Sequence, residues 1–177
     1  MTQESLKAAG VRDKGKAFRG ALSRFPTGVT VITARAPETD LPIGLTVSSF
    51  NSVSLNPPLV MWAISNKSPN LSAFSVGRTH FIHVLNSAQA ELAKHFATPR
   101  DDKFTGVPVQ TSTNASDPPR LADVCVWFKC TTDQLIQAGD HSVVIASVQY
   151  YEVYEGESLV FCKSSFFSSD ALERISG

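Results

Sequence analysis

Residues 44–60 form the segment GLTVSSFNSVSLNPPLV, which gives the clearest indication of the fold class. Apolar and hydroxyl side chains alternate at its start, so that Leu45 and Val47 face one side and Thr46 faces the other. Two consecutive prolines then separate a second strand-like segment from a third, apolar one. Strands that follow one another so closely leave no room for a crossover helix, which favours an antiparallel sheet.

The rest of the chain is also rich in strand-like segments. Short β-branched or apolar runs predict strands at 29–34, 41–50, 53–55, 59–64, 79–85, 121–136, 142–153 and 159–167. Helical spacing and caps predict only three helices, at 14–24, at 68–77 and directly after Asn86 or Ser87. The predicted fold class is therefore mainly β, an antiparallel sheet or β-barrel with two or three helices as lids.

The composition describes one neutral domain with enough apolar residues for a sizeable core. The 177 residues include 16 Lys and Arg against 16 Asp and Glu, and 42% of the chain is hydrophobic. The length fits one domain, predicted at 14–177 after a flexible arm at 1–13. Because the chain has no basic excess, we expect no nucleic-acid partner.

The sequence predicts a cytoplasmic protein without a membrane partner. No apolar run approaches the roughly 20 residues of a membrane span, and the polar N-terminus lacks the apolar stretch of a signal peptide. The three cysteines form no C-x-x-C motif, which agrees with buried thiols in a reducing compartment.

The usual signatures of side-chain catalysis are absent from the sequence. It contains no G-x-S-x-G motif, no P-loop and no G-x-G-x-x-G motif. His80 and His83 are three residues apart on a predicted strand, so they point to opposite faces and no metal site is predicted. An enzyme of this sequence would need a cofactor for the difficult chemical step.

Four short polar segments are candidate binding sites, and each has a simpler explanation. The hydroxyl face around Thr46 could bind a flat heterocycle or its phosphate, or could face water. Residues 65–70, SNKSPN, could form an anion site or an ordinary helix cap. Asn86 could cap its helix or touch a ligand, and His141 could belong to a turn or stand at the rim of a pocket. The pattern alone leaves each pair of alternatives open.

Several motifs that are weak individually form an ordered set between residues 16 and 168. They are Phe25-Pro26-Thr27-Gly28-Val29, Gly44 to Phe50, Ser54 to Val60, Ser68, Asn86 after the strand at 81–85, Phe104, Gly139-Asp140-His141 and Leu159-Val160-Phe161. Taken together, they resemble the flavin reductase components of two-component flavin-dependent aromatic monooxygenases, which are short-chain NAD(P)H:flavin oxidoreductases.

This resemblance implies a fold, an activity and a partner. The implied fold is a split antiparallel β-barrel with Greek-key connections, in a homodimer that holds flavin near the subunit interface. The implied activity is hydride transfer from NADH to free FAD, with FMN as the other possible flavin. Reduced flavin would then pass to a partner monooxygenase that hydroxylates a phenolic or chlorophenolic substrate. Two alternatives are an oxidase-like split-barrel flavoprotein that retains its flavin, and a non-catalytic flavin- or haem-binding module.

The resemblance also implies roles for particular residues. Those expected around the isoalloxazine and the ribityl chain are Thr46, Val47, Ser48 and Ser49. The phosphate would meet Ser65, Asn66, Lys67 and Ser68. The other side of the ring would be lined by Pro26, Thr27 and Gly28, and the pocket would be closed by Asn86 and Phe104. His141 resembles the family histidine that touches the nicotinamide, and Ala146 stands where such proteins often have glycine.

Overall fold

The computed structural model of the protein describes residues 14–100, 102–110 and 114–172, so the predicted arm at 1–13 lies outside the described residues. The α-helices are α1, Lys14–Leu22, and α2, Ala90–Ala97, and single 3₁₀ turns cover Leu71–Phe74, Ser87–Gln89 and Ser169–Ala171. The strands are β1 (Thr27–Gly28), β2 (Thr30–Arg35), β3 (Pro42–Val47), β4 (Asn51–Leu55), β5 (Pro58–Ser65), β6 (Thr79–Val84), β7 (Val109–Gln110), β8 (Arg120–Leu121), β9 (Val126–Ala138), β10 (His141–Val153), β11 (Leu159–Cys162) and β12 (Ser165–Ser168).

Seven antiparallel strands form the main sheet, in the order β3-β2-β6-β9-β10-β5-β4. Its two end strands, β3 and β4, follow each other in the chain and are joined only by residues 48–50. A flat sheet of this size would separate its end strands by roughly 29 Å, at about 4.8 Å per strand. The connection from residue 47 to residue 51 spans at most about 14 Å. The sheet must therefore curl until its ends are neighbours, which makes it a split β-barrel.

The barrel has one apolar core inside it and a second one outside. Inside, large side chains such as Trp62 and Phe74 pack with residues from most of the barrel strands. Outside, Phe81 and Trp127 pack with Phe96 of α2 and with the three-stranded sheet β1-β11-β12. Successive residues of a strand point to opposite faces, so β2, β6 and β9 contribute to both cores.

Two histidines of β6 are buried on these opposite faces, as predicted. His80 lies in the inner core, where its Nε2 accepts a hydrogen bond from Trp62 Nε1 at 3.4 Å. His83 lies in the outer core, where its Nδ1 donates to Val31 O at 3.0 Å and its Nε2 accepts from Leu121 N at 3.2 Å. An imidazolium has no lone pair with which to accept that N–H, so the fold requires neutral His83. Burial lowers the pKa of both side chains to about 4.

Four predicted elements differ from the observed ones. The strand expected at 121–136 is interrupted after β8 and resumes as β9. The helix predicted at 68–77 is only the 3₁₀ turn Leu71–Phe74, because Ser68 Oγ accepts a hydrogen bond from Asn70 N and stabilises a local turn. The strand expected to continue to Phe50 ends at Val47, where the barrel splits. The strand expected at 159–167 is the hairpin β11–β12.

The described residues contain three free cysteines. Cys125 and Cys130 are buried, whereas Cys162 is only partly so, which corrects the expectation of three buried thiols. Ala146 is wholly buried in the inner core.

Neither α1 nor α2, nor any other helix in the described ranges, is long and apolar enough to cross a membrane.

We predict that the free energy of unfolding falls as the pH decreases from 6.5 towards 4. His80 and His83 have folded-state pKa values of about 4 against an ordinary value of 6.5, so the unfolded chain binds protons that the folded chain cannot. The free energy of unfolding therefore has its full value above pH 6.5 and decreases progressively below it. The loss reaches about 3 kcal/mol for each histidine. Urea denaturation across this pH range measures the loss.

The substitution H83Q isolates the effect, since glutamine offers a donor and an acceptor but does not titrate. H83Q should flatten the pH dependence relative to the wild-type protein, although its stability at neutral pH will be lower. The control H141Q changes an exposed histidine whose partner, Asp140, is also exposed, so it should alter the slope less than H83Q does. Equal slopes for H83Q and the wild-type protein would contradict the prediction.

Candidate functional site

A groove opens where the barrel splits. Its inner cavity has a volume of about 430 Å³ and is lined by Leu45, Thr46, Val47, Ser48, Ser49, Ala63, Ile64, Ser65, Ser68 and His141. Its outer cavity, of about 690 Å³, is lined by Leu45, Thr46, Ser68, Pro69, Asn70, Phe96, Ala97, Pro99, Arg100 and Lys103. Three residues are common to both cavities, so the two are parts of one groove, which we call the split groove.

The inner cavity is lined by neutral hydrogen-bonding groups. Ser49 Oγ accepts a hydrogen bond from Ala63 N at 2.9 Å, which ties the β3–β4 connection to β5 across the split. The described part of the chain provides no partner for the backbone N–H of Ser48 or Ser49. These N–H groups are unpaired because β3 and β4 do not pair with each other. The inner cavity can therefore donate hydrogen bonds to a ligand without contributing charge.

Helix α2 closes the groove by packing closely on β3. Thr46 Oγ1 donates to Ala93 O at 2.6 Å. A Cβ placed at Gly44 would lie 2.3 Å from Cε1 of Phe96, so only glycine permits this approach. Phe104 packs on Phe96 with ring centroids 5.2 Å apart and lines neither cavity of the split groove. The structure therefore places Phe104 behind the wall of the outer cavity.

The outer cavity contains two cations that sequence reasoning did not assign to a site. Lys103 Nζ donates to Gly44 O at 3.1 Å and to Phe96 O at 2.8 Å. Among the described residues, no carboxylate forms an ion pair with this ammonium group, and partial burial lowers the pKa of Lys103. A half-buried ammonium without a counter-charge favours an anionic ligand. Arg100 lines the same cavity, so the outer cavity presents two positive charges to a ligand.

His141 stands at the rim of the inner cavity, on the tight turn that joins β9 to β10. Its Nδ1 lies 2.8 Å from Asp140 Oδ1. This hydrogen bond and the charge of the imidazole hold the pKa of Asp140 below its ordinary value. The predicted turn at Gly139-Asp140 is confirmed, with Gly139 at a φ of 65°. The same short segment therefore makes the turn and presents the imidazole, so both sequence alternatives apply.

Asn66 and Lys67, which were predicted to meet a phosphate, line neither cavity of the split groove. The Asn66 side chain is hydrogen-bonded to the β9–β10 turn, to Gly139 O at 3.2 Å and to Ser142 Oγ at 2.7 Å. Lys67 is exposed. Their contact with a phosphate stays a prediction. The helix-terminus argument for this segment no longer applies, because a four-residue 3₁₀ turn follows it.

The remaining predicted contacts lie outside the split groove of a single chain. Thr27 and Gly28 form β1, which pairs with β11, and Pro26 directly precedes them. Asn86 caps the 3₁₀ turn that leads into α2, as one sequence alternative proposed. It also lines a separate cavity of about 290 Å³ with Gln110, Asp123, Val124, Tyr154 and Glu155. The role of these residues in flavin binding stays a prediction.

Within the described ranges, no three His, Cys, Asp or Glu side chains are grouped so that they could hold a metal ion. The split groove thus offers neutral donors, one imidazole and two cations for binding an organic ligand.

Known proteins are similar to this chain in sequence and fold. The model of the flavin reductase like domain matches residues 22–170. The FMN reductase (NADH) SmoA of Agrobacterium fabrum is 38% identical over 155 residues, which cover 87% of this chain and 86% of that protein. The reductase component of 4-nitrophenol 4-monooxygenase/4-nitrocatechol 2-monooxygenase from Rhodococcus opacus is 30% identical over 167 residues, 94% of this chain and 88% of that protein.

A solved structure agrees with these relatives. The NADH:FAD oxidoreductase SgcE6 of Streptomyces globisporus C-1027, in complex with NAD and FAD fragments, superimposes with a TM-score of 0.80 and 31% identity, over 93% of this chain and 99% of that one. The chain spans 48% and 65% of the length of two further curated relatives. The family match extends from the end of α1 to the last 3₁₀ turn and includes every strand. The chain therefore belongs to the flavin-reductase-like family.

Proposed function

We propose that this protein is an NADH-dependent flavin reductase that supplies reduced flavin to a partner monooxygenase. The observation that carries the proposal is the split groove, which combines neutral donors and an exposed imidazole at its inner end with Lys103 and Arg100 at its outer end. A flavin nucleotide has the matching polarity, with a neutral heterocycle at one end and phosphate at the other. Family membership supports the same activity.

In the proposed arrangement the isoalloxazine occupies the inner cavity. The free N–H groups of Ser48 and Ser49 would donate to its pyrimidine edge, where negative charge develops on reduction. The phosphate would lie near Lys103 and Arg100 in the outer cavity, and His141 would meet the nicotinamide at the rim. No Lys, Arg, Asp or Glu side chain lines the inner cavity, so binding energy there is modest and reduced flavin can leave.

The reaction transfers two electrons as a hydride. NADH releases the hydride from C4 of its nicotinamide and becomes NAD⁺, while the flavin accepts it at N5. A proton from water completes the reduced flavin. The protein contributes the alignment of the two rings and the backbone donors, which need no ionisable catalytic group.

We favour FAD over FMN and a phenolic or chlorophenolic substrate for the partner monooxygenase. The outer cavity extends the groove beyond the inner one, which supports room for an adenylate next to the phosphate end. The relatives support both flavins, since one is named for FMN and another for FAD. The nitrophenol monooxygenase named for the Rhodococcus opacus relative supports an aromatic substrate.

We propose that the exposed face of α1 packs against a second copy of the chain in a homodimer. Phe18 and Leu22 lie one helical turn apart on α1, Phe25 follows shortly after its end, and these side chains are 64%, 56% and 72% exposed. A surface helix usually buries such a stripe, and a contiguous exposed apolar patch indicates an interaction surface. A homodimer would cover it, and it would also bring two split grooves into one assembly.

The first test of the proposed function measures NADH oxidation at 340 nm with FAD, FMN and riboflavin. We expect turnover with added flavin, and we expect reduced flavin to cross a dialysis membrane and reduce cytochrome c on the far side. No loss of absorbance with any flavin would refute the reductase. Turnover without release would favour a flavoprotein that retains its flavin, and flavin binding without turnover would favour a non-catalytic module.

A second test concerns the phosphate end of the groove. K103M removes the ammonium but keeps an unbranched side chain, and it should raise the KM for FMN and FAD roughly tenfold, as expected when a charged hydrogen bond is lost. The KM for riboflavin, which has no phosphate, should stay within about twofold on the same scale.

The matched substitution K67M tests which of the two lysines, Lys67 or Lys103, binds the flavin phosphate. If K67M, rather than K103M, raises the KM for FMN relative to riboflavin, then the phosphate meets residues 65–68 as the sequence predicted. An equal loss with riboflavin and FMN in K103M would show that Lys103 only anchors its loop.

A third test concerns the dimer. The double substitution F18E/L22E should convert the protein to a monomer in sedimentation velocity, because burying two carboxylates in an apolar interface is unfavourable. The control L55E changes a leucine that is 93% exposed at the β4–β5 turn, and it should leave the dimer intact. A wild-type monomer, or an unchanged dimer in F18E/L22E, would refute this interface.

A further inference from the structure

The turn that carries His141 lies at the end of the longest hairpin in the described residues. Strands β9 and β10 contain 13 residues each, and only Gly139 and Asp140 join them. The register places His141 opposite Ser65, the last residue of β5. The position of the imidazole therefore depends on what holds the hairpin turn against the segment that follows β5.

Asn66 holds this turn with three hydrogen bonds to three different residues. Its backbone N–H donates to Asp140 O at 3.0 Å, and its Nδ2 donates to Gly139 O at 3.2 Å. Its Oδ1 accepts from Ser142 Oγ at 2.7 Å. Ser142 is only 6% exposed, so its hydroxyl needs this partner. A side-chain amide is suited to this position because it supplies a donor and an acceptor together.

Asp140 determines how His141 can use its second nitrogen. The Asp140 carboxylate is an acceptor, so the 2.8 Å contact requires the proton to be on Nδ1 of His141. In the neutral imidazole, Nε2 then carries the lone pair. A nicotinamide carboxamide offers N–H groups that can donate to it.

We propose that Asn66 and Asp140 are positioning residues for NADH, with Asn66 fixing the β9–β10 turn and Asp140 fixing the Nδ1–H tautomer of His141 so that Nε2 accepts from the carboxamide. This inference rests on the proposed function, in which His141 meets the nicotinamide. It replaces the predicted phosphate contact of Asn66 with a role that acts through His141. Neither residue lines the split groove, so we expect both to affect the second substrate selectively.

The kinetic test compares N66A, D140A and H141A with the wild-type protein. Each variant should lower kcat/KM for NADH roughly tenfold, the effect of losing one orienting hydrogen bond, while the KM for flavin stays within about twofold. D140N retains a carbonyl oxygen opposite Nδ1 and should recover most of the activity that D140A loses. N51A changes an exposed asparagine outside the split groove and should match the wild-type protein.

The double variant N66A/H141A separates a positioning role from a structural one. If Asn66 acts through His141, adding N66A to H141A should not lower kcat/KM for NADH further. If N66A causes the same loss in the H141A background, Asn66 acts independently and the inference is overturned. If H141A leaves NADH kinetics unchanged in an active enzyme, the inference is overturned while the reductase function stands.

A measurement that needs no activity tests the same geometry. In the wild-type protein above neutral pH, the ¹⁵N resonances of His141 should show a protonated Nδ1 and an unprotonated Nε2. In N66A and D140A the ring should shift towards the Nε2–H tautomer that free histidine prefers. An Nε2–H tautomer in the wild-type protein would overturn the inference, whether or not the protein oxidises NADH.

Discussion

The short connection between the two end strands of the main sheet is the constraint on which the rest of the structure depends. Residues 48–50 join β3 to β4, which lie at opposite ends of a seven-stranded sheet. The chain can satisfy both facts only by curling the sheet until its ends meet. Because the ends meet without pairing, backbone N–H groups remain free at the seam, and the split groove forms there.

Several polar side chains away from the seam form hydrogen bonds with neutral partners. His83 binds the backbone of Val31 and Leu121, and Asn66 binds the β9–β10 turn. Burial makes an unpaired polar group costly, so each neutral donor or acceptor requires a specific partner. The cations of the outer cavity are the exception, since Lys103 has two carbonyl partners and no carboxylate in the described residues. Charge is therefore placed at one end of the groove.

Local patterns predicted much of the fold. The alternation of Leu45 and Val47 predicted a strand with one face in a core, and both residues pack in or against the inner core. The spacing of His80 and His83 predicted opposite faces, and the structure confirms it. Residues 68–77 were predicted wrongly as a helix, because hydrogen bonds of Ser and Asn side chains to the nearby backbone competed with helix formation.

Local patterns predicted less of the candidate site. The segment at 46–49, Ser65, Ser68 and His141 were each singled out, and the structure brings them into one cavity. Lys103 and Arg100 were not assigned to it, because they belong to a loop whose path depends on how α2 packs against Gly44. The bonds of Asn66 were also not foreseen, since they reach residues up to 76 positions away.

Side-chain alternation, turn residues and motif order along the chain were enough to predict most of the strands and turns and the family. They did not show which of those residues meet, because that depends on how the whole chain folds. Contacts between distant segments depend on the sheet order and register, and on the curl that a three-residue connection imposes on seven strands. Those constraints involve the whole chain, so no local segment contains them.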